Sequence, residues 1–180
     1  DDALGQKLFK LMKEGPEDQL TLTENAQPAL MAVSLAVSRT LEKEFKIGVD
    51  KAAFVAGHSL GEYSALAAAG AISLADTARL LKLRGQAMQR AVPVGAGAMA
   101  SLIGPKTDVA LAEAAAAAGA LVGVCVVAND NNNGNVVISG DRAGVDRAIE
   151  KAKELGARAI PRARAEGESV ESGPVAAHGL

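Results

Sequence analysis

Helical periodicity dominates the first ninety residues and is interrupted by one short apolar stretch. Leucines at positions 4, 8 and 11 predict an amphipathic helix over residues 2–14. Thr23 and Glu24 signal the start of a largely apolar helix that continues toward Leu41, and we expect it to be buried on most sides. The other elements predicted here are a strand over residues 52–56, a helix over 62–69 that ends at Gly70, and a helix over 78–91 capped by Ser73 or Asp76.

The pattern changes beyond Pro93, and we interpret residues 95–160 as a second subdomain. Its predicted elements are a strand over 98–103, a helix over 107–118, strands over 122–127 and 136–139, a helix that Asp141 caps and that runs to Leu155, and a strand over 157–160. This β-α-β-β-α-β order matches the ferredoxin-like split unit, in which two helices cover one face of a four-stranded antiparallel sheet. The predicted organisation is therefore 1–94, 95–160 and a polar, aperiodic tail over 161–180 that we expect to be disordered.

The composition is that of a folded globular protein with no charged surface for a polyanion. Of the 180 residues 49% are hydrophobic, and the formal net charge is −2 with scattered basic residues, so neither a nucleic acid nor a membrane is an expected partner. The single cysteine, Cys125, lies in an apolar run and is expected to be a buried, inert thiol. With no recognisable signal peptide or membrane span, we expect a cytoplasmic location. The start at Asp1 suggests a chain that begins inside a longer one.

The segment Gly57-His58-Ser59-Leu60-Gly61 spells G-x-S-x-G between the apolar stretch and a predicted helix. A sharp strand-to-helix turn of this kind projects the serine hydroxyl as a nucleophile, and the next backbone N–H can face a developing oxyanion. The G-x-S-x-G motif by itself is weak evidence for a nucleophile, because chance would produce it in roughly one such chain in ten. Its flanks favour a nucleophile at Ser59 over a structural Gly-Ser turn.

A nucleophilic serine needs a base within hydrogen-bond reach, and the chain has two histidines. Neighbouring side chains on an elbow diverge, so we expect His58 to fix the elbow or line the pocket rather than to act as the base. His178 lies in the predicted tail, where a solvated histidine is expected. Ser59 is therefore left without a convincing base.

Arg84 is the second residue with candidate chemistry, because it borders an apolar stripe of Leu80, Leu83 and Ala87 on a predicted helix. An arginine in this position can anchor a carboxylate through a bidentate pair. The pattern alone favours a snorkelling arginine or a structural ion pair. Glu62, in the turn after the elbow, is expected to complement the helix dipole.

The asparagine-rich stretch 129–135 predicts a tight hairpin turn, because asparagine and glycine accept positive φ. A polar rim that binds an amide-rich ligand is the functional alternative. Only Asp130 supplies charge in this stretch, so a calcium loop is rejected and no metal site is expected.

Three runs together resemble the malonyl-CoA:acyl carrier protein transacylases of type II fatty acid synthesis. They are the elbow with its continuation to Leu66, the run from Thr23 to Leu30, and the run from Leu83 to Met88. In the second subdomain, residues 127–131 and 136–140 look like the same family's small subdomain, so the likeness covers about residues 2–160. The resemblance implies an α/β fold with a hydrolase-like acyltransferase core, here partial, and an inserted ferredoxin-like subdomain.

The function implied by the resemblance is a ping-pong acyl transfer without a cofactor. Ser59 would attack malonyl-CoA, hold malonate as an ester and pass it to the phosphopantetheine thiol of acyl carrier protein, with the Leu60 N–H in the oxyanion hole. Arg84 would pair with the free malonyl carboxylate. His58, Met88 and Gln27 match family positions around the pocket, and Asn129 and Asn131 match positions that face the cleft from the small subdomain. We expect a monomer.

The sequence departs from the family pattern at both ends. Family members begin with a glycine- and glutamine-rich loop that supplies a second oxyanion donor, and this sequence starts after that loop. Their catalytic histidine follows the small subdomain, in a segment that residues 173–178 echo only faintly. Two alternatives therefore stay open: a serine thioesterase or esterase, and a truncated, non-catalytic chain that keeps a partner-binding surface.

Overall fold

The computed structural model describes residues 1–92 and 95–162, with Pro161 and Arg162 described by their backbone alone. The chain divides into two compact units, one of Asp1–Ala91 and one that begins at Val92. The predicted boundary after residue 94 stays a prediction, and the predicted tail from residue 163 onward, with His178, lies outside the described residues.

The regular elements of the first unit are all helical. They are α1 (Leu8–Glu14), α2 (Glu17–Thr21), α3 (Thr23–Phe45), α4 (Leu60–Ala68) and α5 (Leu74–Ala91), with 3-10 turns at Asp2–Leu4 and Val49–Lys51. The single helix predicted over 2–14 is wrong, because Gly5 adopts a left-handed conformation with φ 58° and ends the first turn. Helix α5 begins earlier than predicted because Ser73 Oγ accepts a hydrogen bond from the Asp76 N–H at 3.1 Å.

The core of the first unit lies between α3 and α5. Met31 and Leu35 of α3 pack against Ala78 and Leu81 of α5, and Leu81 is fully buried. The apolar face predicted for α5 is therefore wrong, since Leu80 and Leu83 are 42% and 57% exposed. Apolar residues occur around most of the circumference of α5, so its sequence pattern is compatible with either of two buried faces. Contact with α3 buries the face that carries Ala78, Leu81 and Gly85.

Two further predictions for the first unit are wrong. Residues 52–56 form no strand, and every residue from 51 to 59 is exposed. The four apolar residues Leu30, Val33, Val37 and Leu41 of α3 are 40–55% exposed, so this helix is not buried on most sides. A strand needs a neighbour to complete its hydrogen bonds, and a helix face needs a partner to exclude water; the described part of the first unit supplies neither.

The second unit follows the element order predicted from the sequence. It contains β1 (Gly97–Ile103), α6 (Val109–Gly119), β2 (Cys125–Asp130), β3 (Asn135–Asp141), α7 (Arg142–Glu154) and β4 (Arg158–Arg162). The strands form one antiparallel sheet in the order β2-β3-β1-β4, with Ala100 of β1 opposite Ile138 of β3. Alternate residues such as Leu102 and Val136 face a core to which both helices contribute small side chains, mainly alanines.

Strand β2 begins three residues later than predicted because the chain before it continues the end of α6. The Val122 and Gly123 N–H groups bond back to the Gly119 carbonyl at 3.0 and 3.2 Å. Asp141 then fixes Val124 from both sides, since its carboxylate accepts the Val124 N–H and its own N–H donates to the Val124 carbonyl. Asp141 occupies the N-cap position of α7 but makes no side-chain cap hydrogen bond, so its predicted capping role is wrong.

Cys125 is buried in the core of the second unit, as predicted. Burial raises the pKa of its thiol, because the thiolate loses its hydration there. None of the helices in the described ranges is long and apolar enough to cross a membrane.

Candidate active site

Ser59 lies at the point where the exposed segment 52–58 turns into helix α4. Its backbone adopts φ 55° and ψ −120°, a conformation that residues with a side chain rarely take. Such a conformation costs on the order of 1–3 kcal/mol and persists only where the surrounding structure holds it. The helix that a nucleophile elbow requires begins at the very next residue, Leu60.

The two glycines of the G-x-S-x-G motif have different steric surroundings. A Cβ added to Gly57 would overlap the carbonyl of Gly61 and the backbone nitrogen of Glu62. A Cβ added to Gly61 would meet nothing within 4 Å. The sharp turn therefore depends on a glycine at position 57 and not at position 61.

Leu60 contributes a backbone N–H at the start of α4. The following two N–H groups are used, because Gly61 donates to the His58 carbonyl at 2.9 Å and Glu62 donates to the Ser59 carbonyl at 3.2 Å. The Leu60 N–H has no backbone acceptor within the described ranges. Glu62 occupies the first turn of this helix, as predicted, where its carboxylate complements the helix dipole.

Arg84 connects the elbow to a buried glutamine. Its Nη2 donates to Ser59 Oγ at 3.0 Å, and its Nη1 donates to Gln27 Oε1 at 2.6 Å. Gln27 is 3% exposed, and its Nε2 donates to Thr23 Oγ1 at 2.8 Å and contacts Met88 Sδ at 3.3 Å. Four residues singled out from the sequence therefore form one connected set: Ser59, Arg84, Gln27 and Met88.

Arg84 carries a positive charge without an ion-pair partner in the part of the chain that the structure describes. Both of its described hydrogen bonds go to neutral acceptors, a serine hydroxyl and a glutamine amide. Lys82, two residues away, differs in this respect, because it lies 3.0 Å from the Glu24 carboxylate. The Arg84 guanidinium is therefore available to a carboxylate brought by a ligand.

A polar network between α3 and α5 supports this arrangement, and the sequence reasoning missed it. Lys82 bonds to both Glu24 and the buried amide of Asn25, and Gln86 donates to Glu24 at 3.2 Å. The Lys82 hydrogen bond lowers the pKa of the Glu24 carboxyl below its ordinary value of 4.5, with a smaller contribution from Gln86, while burial opposes the shift. The available signal was that Lys82 and Gln86 are four residues apart on one helix and so share a side of it.

Gly85 sets the distance between α5 and the start of α3. A Cβ at this position would lie 2.7 Å from the Glu24 nitrogen and from the Thr23 carbonyl oxygen, so the two backbones touch here. This contact places the residues on either side of Gly85, Arg84 and Gln86, beside the first turn of α3.

His58 is exposed, and its imidazole makes no hydrogen bond to the described part of the chain. The expectation that it fixes the elbow or lines a pocket stays a prediction. Within residues 1–92 and 95–162, no cluster of three or more His, Cys, Asp or Glu side chains is placed to hold a metal ion.

Asn129 and Asn131 belong to the second unit. Asn129 is exposed on β2 at an irregularity in its pairing with β3, and Asn131 is half-buried with its amide oxygen unpaired within the described residues. The predicted tight turn is present directly after them, since Asn132, Asn133 and Gly134 all have positive φ. The predicted role of the two asparagines at the cleft stays a prediction.

Comparison with known proteins identifies the family. The profile described as the acyl transferase domain matches residues 1–172. The malonyl CoA-acyl carrier protein transacylase of Bacillus subtilis (strain 168) is 48% identical over 162 residues, which are 89% of this chain and 50% of that protein. The chain belongs to the malonyl-CoA:acyl carrier protein transacylase family. It spans about half the length of the curated transacylases that it matches.

Solved transacylase structures resemble this chain in fold over about half of their own length. The acyl-carrier-protein S-malonyltransferase of Bartonella henselae is 54% identical with a TM-score of 0.82, and the match covers 92% of this chain and 52% of that one. A malonyl-transacylase solved in complex with a type II PKS acyl-carrier protein is 44% identical with a TM-score of 0.79, with 90% and 51% covered. The resemblance inferred from the sequence is confirmed.

Proposed function

We propose that this chain carries the acyl-transfer serine of a malonyl-CoA:acyl carrier protein transacylase, with Ser59 as the nucleophile. The observation that carries the proposal is the Arg84 guanidinium, which has no carboxylate partner among the described residues and lies 3.0 Å from Ser59 Oγ. A serine beside an unpaired arginine suits an acyl group that ends in a carboxylate, and malonyl is such a group.

The malonyl group is transferred twice, first to Ser59 and then to acyl carrier protein. Ser59 Oγ attacks the thioester carbonyl of malonyl-CoA, its proton passes to a base, and coenzyme A leaves as the thiol once it is protonated. The phosphopantetheine thiol of acyl carrier protein then gives its proton to the base and attacks the malonyl ester, which leaves malonyl on the carrier protein and returns a proton to Ser59 Oγ. In both steps the Leu60 N–H donates to the oxyanion, an interaction whose loss typically costs about 3–4 kcal/mol of barrier.

The remaining candidate residues serve substrate binding. Arg84 pairs with the free malonyl carboxylate, Gln27 holds the guanidinium in place, and Met88 packs against Gln27. We assign His58 to the rim of the pocket. Asn129 and Asn131 of the small subdomain are also proposed to bind the substrate.

The proposal includes the architecture and partners of the family. The first unit is interpreted as part of a hydrolase-like acyltransferase core, and residues 95–160 as an inserted ferredoxin-like subdomain with its antiparallel sheet. The substrates are malonyl-CoA and acyl carrier protein, and the pathway is fatty acid biosynthesis in the cytoplasm, carried out by a monomer without a cofactor. The solved complex of a related malonyl-transacylase with an acyl-carrier protein supports the second substrate.

A non-catalytic chain that keeps a partner-binding surface is the second candidate function. It is favoured by the surroundings of Ser59, because the described residues place no histidine or carboxylate within hydrogen-bond distance of its hydroxyl. Without a base the serine stays protonated and attacks slowly.

One experiment separates these functions. The chain is incubated with malonyl-CoA and its intact mass is compared with that of a Ser59→Ala variant. A malonyl adduct that is absent from Ser59→Ala supports the transacylase, and release of that adduct by pantetheine rather than by water excludes the thioesterase or esterase. A wild-type chain that acquires no adduct favours the non-catalytic reading.

A further inference from the structure

The asparagine-rich turn between β2 and β3 contains the chain's one Asn-Gly pair, Asn133-Gly134. Asn133 is exposed, and its side-chain amide makes no hydrogen bond within the described residues. An asparagine can lose its amide nitrogen when the backbone nitrogen of the next residue bonds to the side-chain carbonyl carbon and closes a five-membered ring. A glycine in the next position has no side chain to hinder this approach.

The turn requires a glycine at position 134. Gly134 has φ 75°, a conformation that glycine adopts readily, and a Cβ added to it would overlap the Gly104 carbonyl oxygen. The Gly134 carbonyl also accepts a hydrogen bond from the Gly104 N–H at 3.0 Å, so the two backbones lie in contact. The fold therefore places the least hindered residue directly after Asn133.

Backbone hydrogen bonds distinguish Asn133 from the two asparagines before it. The nitrogen that follows Asn131 donates to the Asp130 carboxylate at 2.8 Å, and the nitrogen that follows Asn132 donates to Asn132 Oδ1 at 3.0 Å. The Gly134 N–H, which follows Asn133, has no acceptor within the described ranges. An N–H that donates to an oxygen is held in place and keeps its proton, so only Asn133 of these three is followed by a nitrogen free to attack.

We propose that Asn133 is a site of spontaneous deamidation in the folded chain, with water as the second reactant. The Gly134 nitrogen gives its proton to a base in the solvent and bonds to Asn133 Cγ. The Cγ–Nδ2 bond then breaks, and the nitrogen takes up a proton and leaves as ammonia. Water adds to either carbonyl of the resulting succinimide ring and opens it, which leaves aspartate or isoaspartate at position 133 and lowers the net charge by one.

The isoaspartate product disturbs the turn, because it adds one methylene group to the backbone between positions 133 and 134. Two hydrogen bonds close this turn: the Asn135 N–H donates to the Asn132 carbonyl at 3.0 Å, and the Asn131 N–H donates to the Asn135 carbonyl at 2.9 Å. A longer backbone shifts the residues on either side of it and so weakens the pairing of β2 with β3. Local opening of the first bond also lets the Gly134 nitrogen turn toward Asn133 Cγ, and such opening costs little at an exposed turn.

The test follows deamidation by peptide mapping while the chain is incubated in mildly alkaline buffer, both folded and unfolded in guanidinium chloride. Trypsin releases the whole turn in the peptide 107–142, which contains five asparagines, and fragment masses locate the converted one. A protein isoaspartate methyltransferase distinguishes isoaspartate from aspartate, and a sample digested without incubation gives the background. The variants are Asn133→Gln, which would have to close a six-membered ring, and the matched control Asn132→Gln, at the neighbouring exposed position with positive φ.

In the folded chain, conversion at Asn133 should exceed the summed conversion at the other four asparagines of the peptide, at a rate within about tenfold of that in the unfolded chain. Asn133→Gln should lose this conversion and Asn132→Gln should keep it. The converted chain should contain isoaspartate and melt at a lower temperature than the fresh chain.

Protection of Asn133 by much more than this factor in the folded chain overturns the proposal, because the turn then blocks ring closure. Conversion mainly at another asparagine overturns it as well, and an unchanged melting temperature of the converted chain contradicts the effect on the turn. The test needs neither malonyl-CoA nor acylation of Ser59, so its result stands apart from the proposed function.

Discussion

Arg84 Nη2 donates a hydrogen bond to Ser59 Oγ at 3.0 Å, so the residue proposed to select the acyl group also contacts the residue proposed to receive it. A guanidinium has no lone pair to accept a proton, and it therefore cannot act as the base for this serine. A carboxylate is a stronger partner for it than a hydroxyl, because the hydrogen bond is then charged on both sides. Binding of a malonyl group should consequently draw Arg84 toward the substrate and release the Ser59 hydroxyl for its base.

Replacing Arg84 by alanine should lower acylation by malonyl-CoA much more than acylation by acetyl-CoA. The expected loss of discrimination is about 2–5 kcal/mol for a desolvated charge pair, since the malonyl carboxylate would lose the cationic partner proposed for it. The measurement is the initial rate of Ser59 acylation by each donor, followed by intact mass. Arg79→Ala is the control on the same helix, because Arg79 pairs with Asp76 at the surface. An unchanged donor preference in Arg84→Ala would remove Arg84 from this role.

Gln27 should act as a positioning residue for Arg84. Gln27→Leu keeps the side-chain volume but removes the acceptor that lies 2.6 Å from Arg84 Nη1, so the guanidinium loses its fixed position. A hydrogen bond to a charged group contributes about 1.5–3 kcal/mol, which predicts a malonyl preference reduced by about tenfold to a hundredfold. Gln27→Glu should reduce the preference further, because its carboxylate would neutralise the cation.

The ratio of kcat/KM for malonyl and acetyl donors measures this effect. A purely structural role of Gln27 would lower both values together and leave their ratio unchanged. Thr23→Val serves as the control that perturbs Gln27 from its other side, through the hydrogen bond to Nε2, without removing the acceptor for Arg84.

Local sequence signals located the elements of the site but not the contacts between them. The motif around Ser59 and the arginine at 84 could be identified because each lies within a few characteristic neighbours. The hydrogen bond between Gln27 and Arg84 joins residues 57 positions apart, and nothing in either helix's periodicity encodes it. The prediction of which face of α5 is buried was wrong for the same reason, because contact with α3 determines that face.

The second unit was easier to predict than segment 52–56. Its strands pair with one another, so alternation of apolar residues such as Ala100 and Leu102 within one sheet was enough to indicate the order of elements. The pattern around Phe54 is equally strand-like, but a strand forms only where neighbours complete its hydrogen bonds. Those neighbours are not among the described residues of the first unit.

The two glycines of the motif should respond differently to alanine. Gly57→Ala should be destabilising by about 1–3 kcal/mol or more, because its Cβ would overlap backbone atoms of Gly61 and Glu62 that cannot move without opening the turn. Gly61→Ala should be neutral or stabilising by up to about 1 kcal/mol, since position 61 lies in α4 with open space around it. Urea unfolding of the two variants tests this difference, and equal destabilisation would contradict the steric account of the elbow.

Glu24 should make the stability of the first unit depend on pH in the acid range. Its folded-state pKa is lowered below 4.5, so the unfolded chain binds the proton more readily than the folded one. The stabilisation is therefore fully present above the ordinary pKa and is lost as the pH falls through the lower, folded-state value. Glu24→Gln should cost about 1–2 kcal/mol at neutral pH, because the ion pair with Lys82 is lost and the Gln86 amide then donates to a neutral acceptor instead of a carboxylate.

The cost of Glu24→Gln should shrink toward zero at acid pH, where the wild-type carboxyl is itself protonated. Free energies of unfolding at a series of pH values measure this, with Lys82→Met and the double variant completing a mutant cycle. Glu44→Gln provides the control, because Glu44 lies exposed on the same helix and its cost should not vary in the same way. A Glu24→Gln cost that stays constant through the acid range would show that packing at this position, and not its charge, holds the start of α3 against α5.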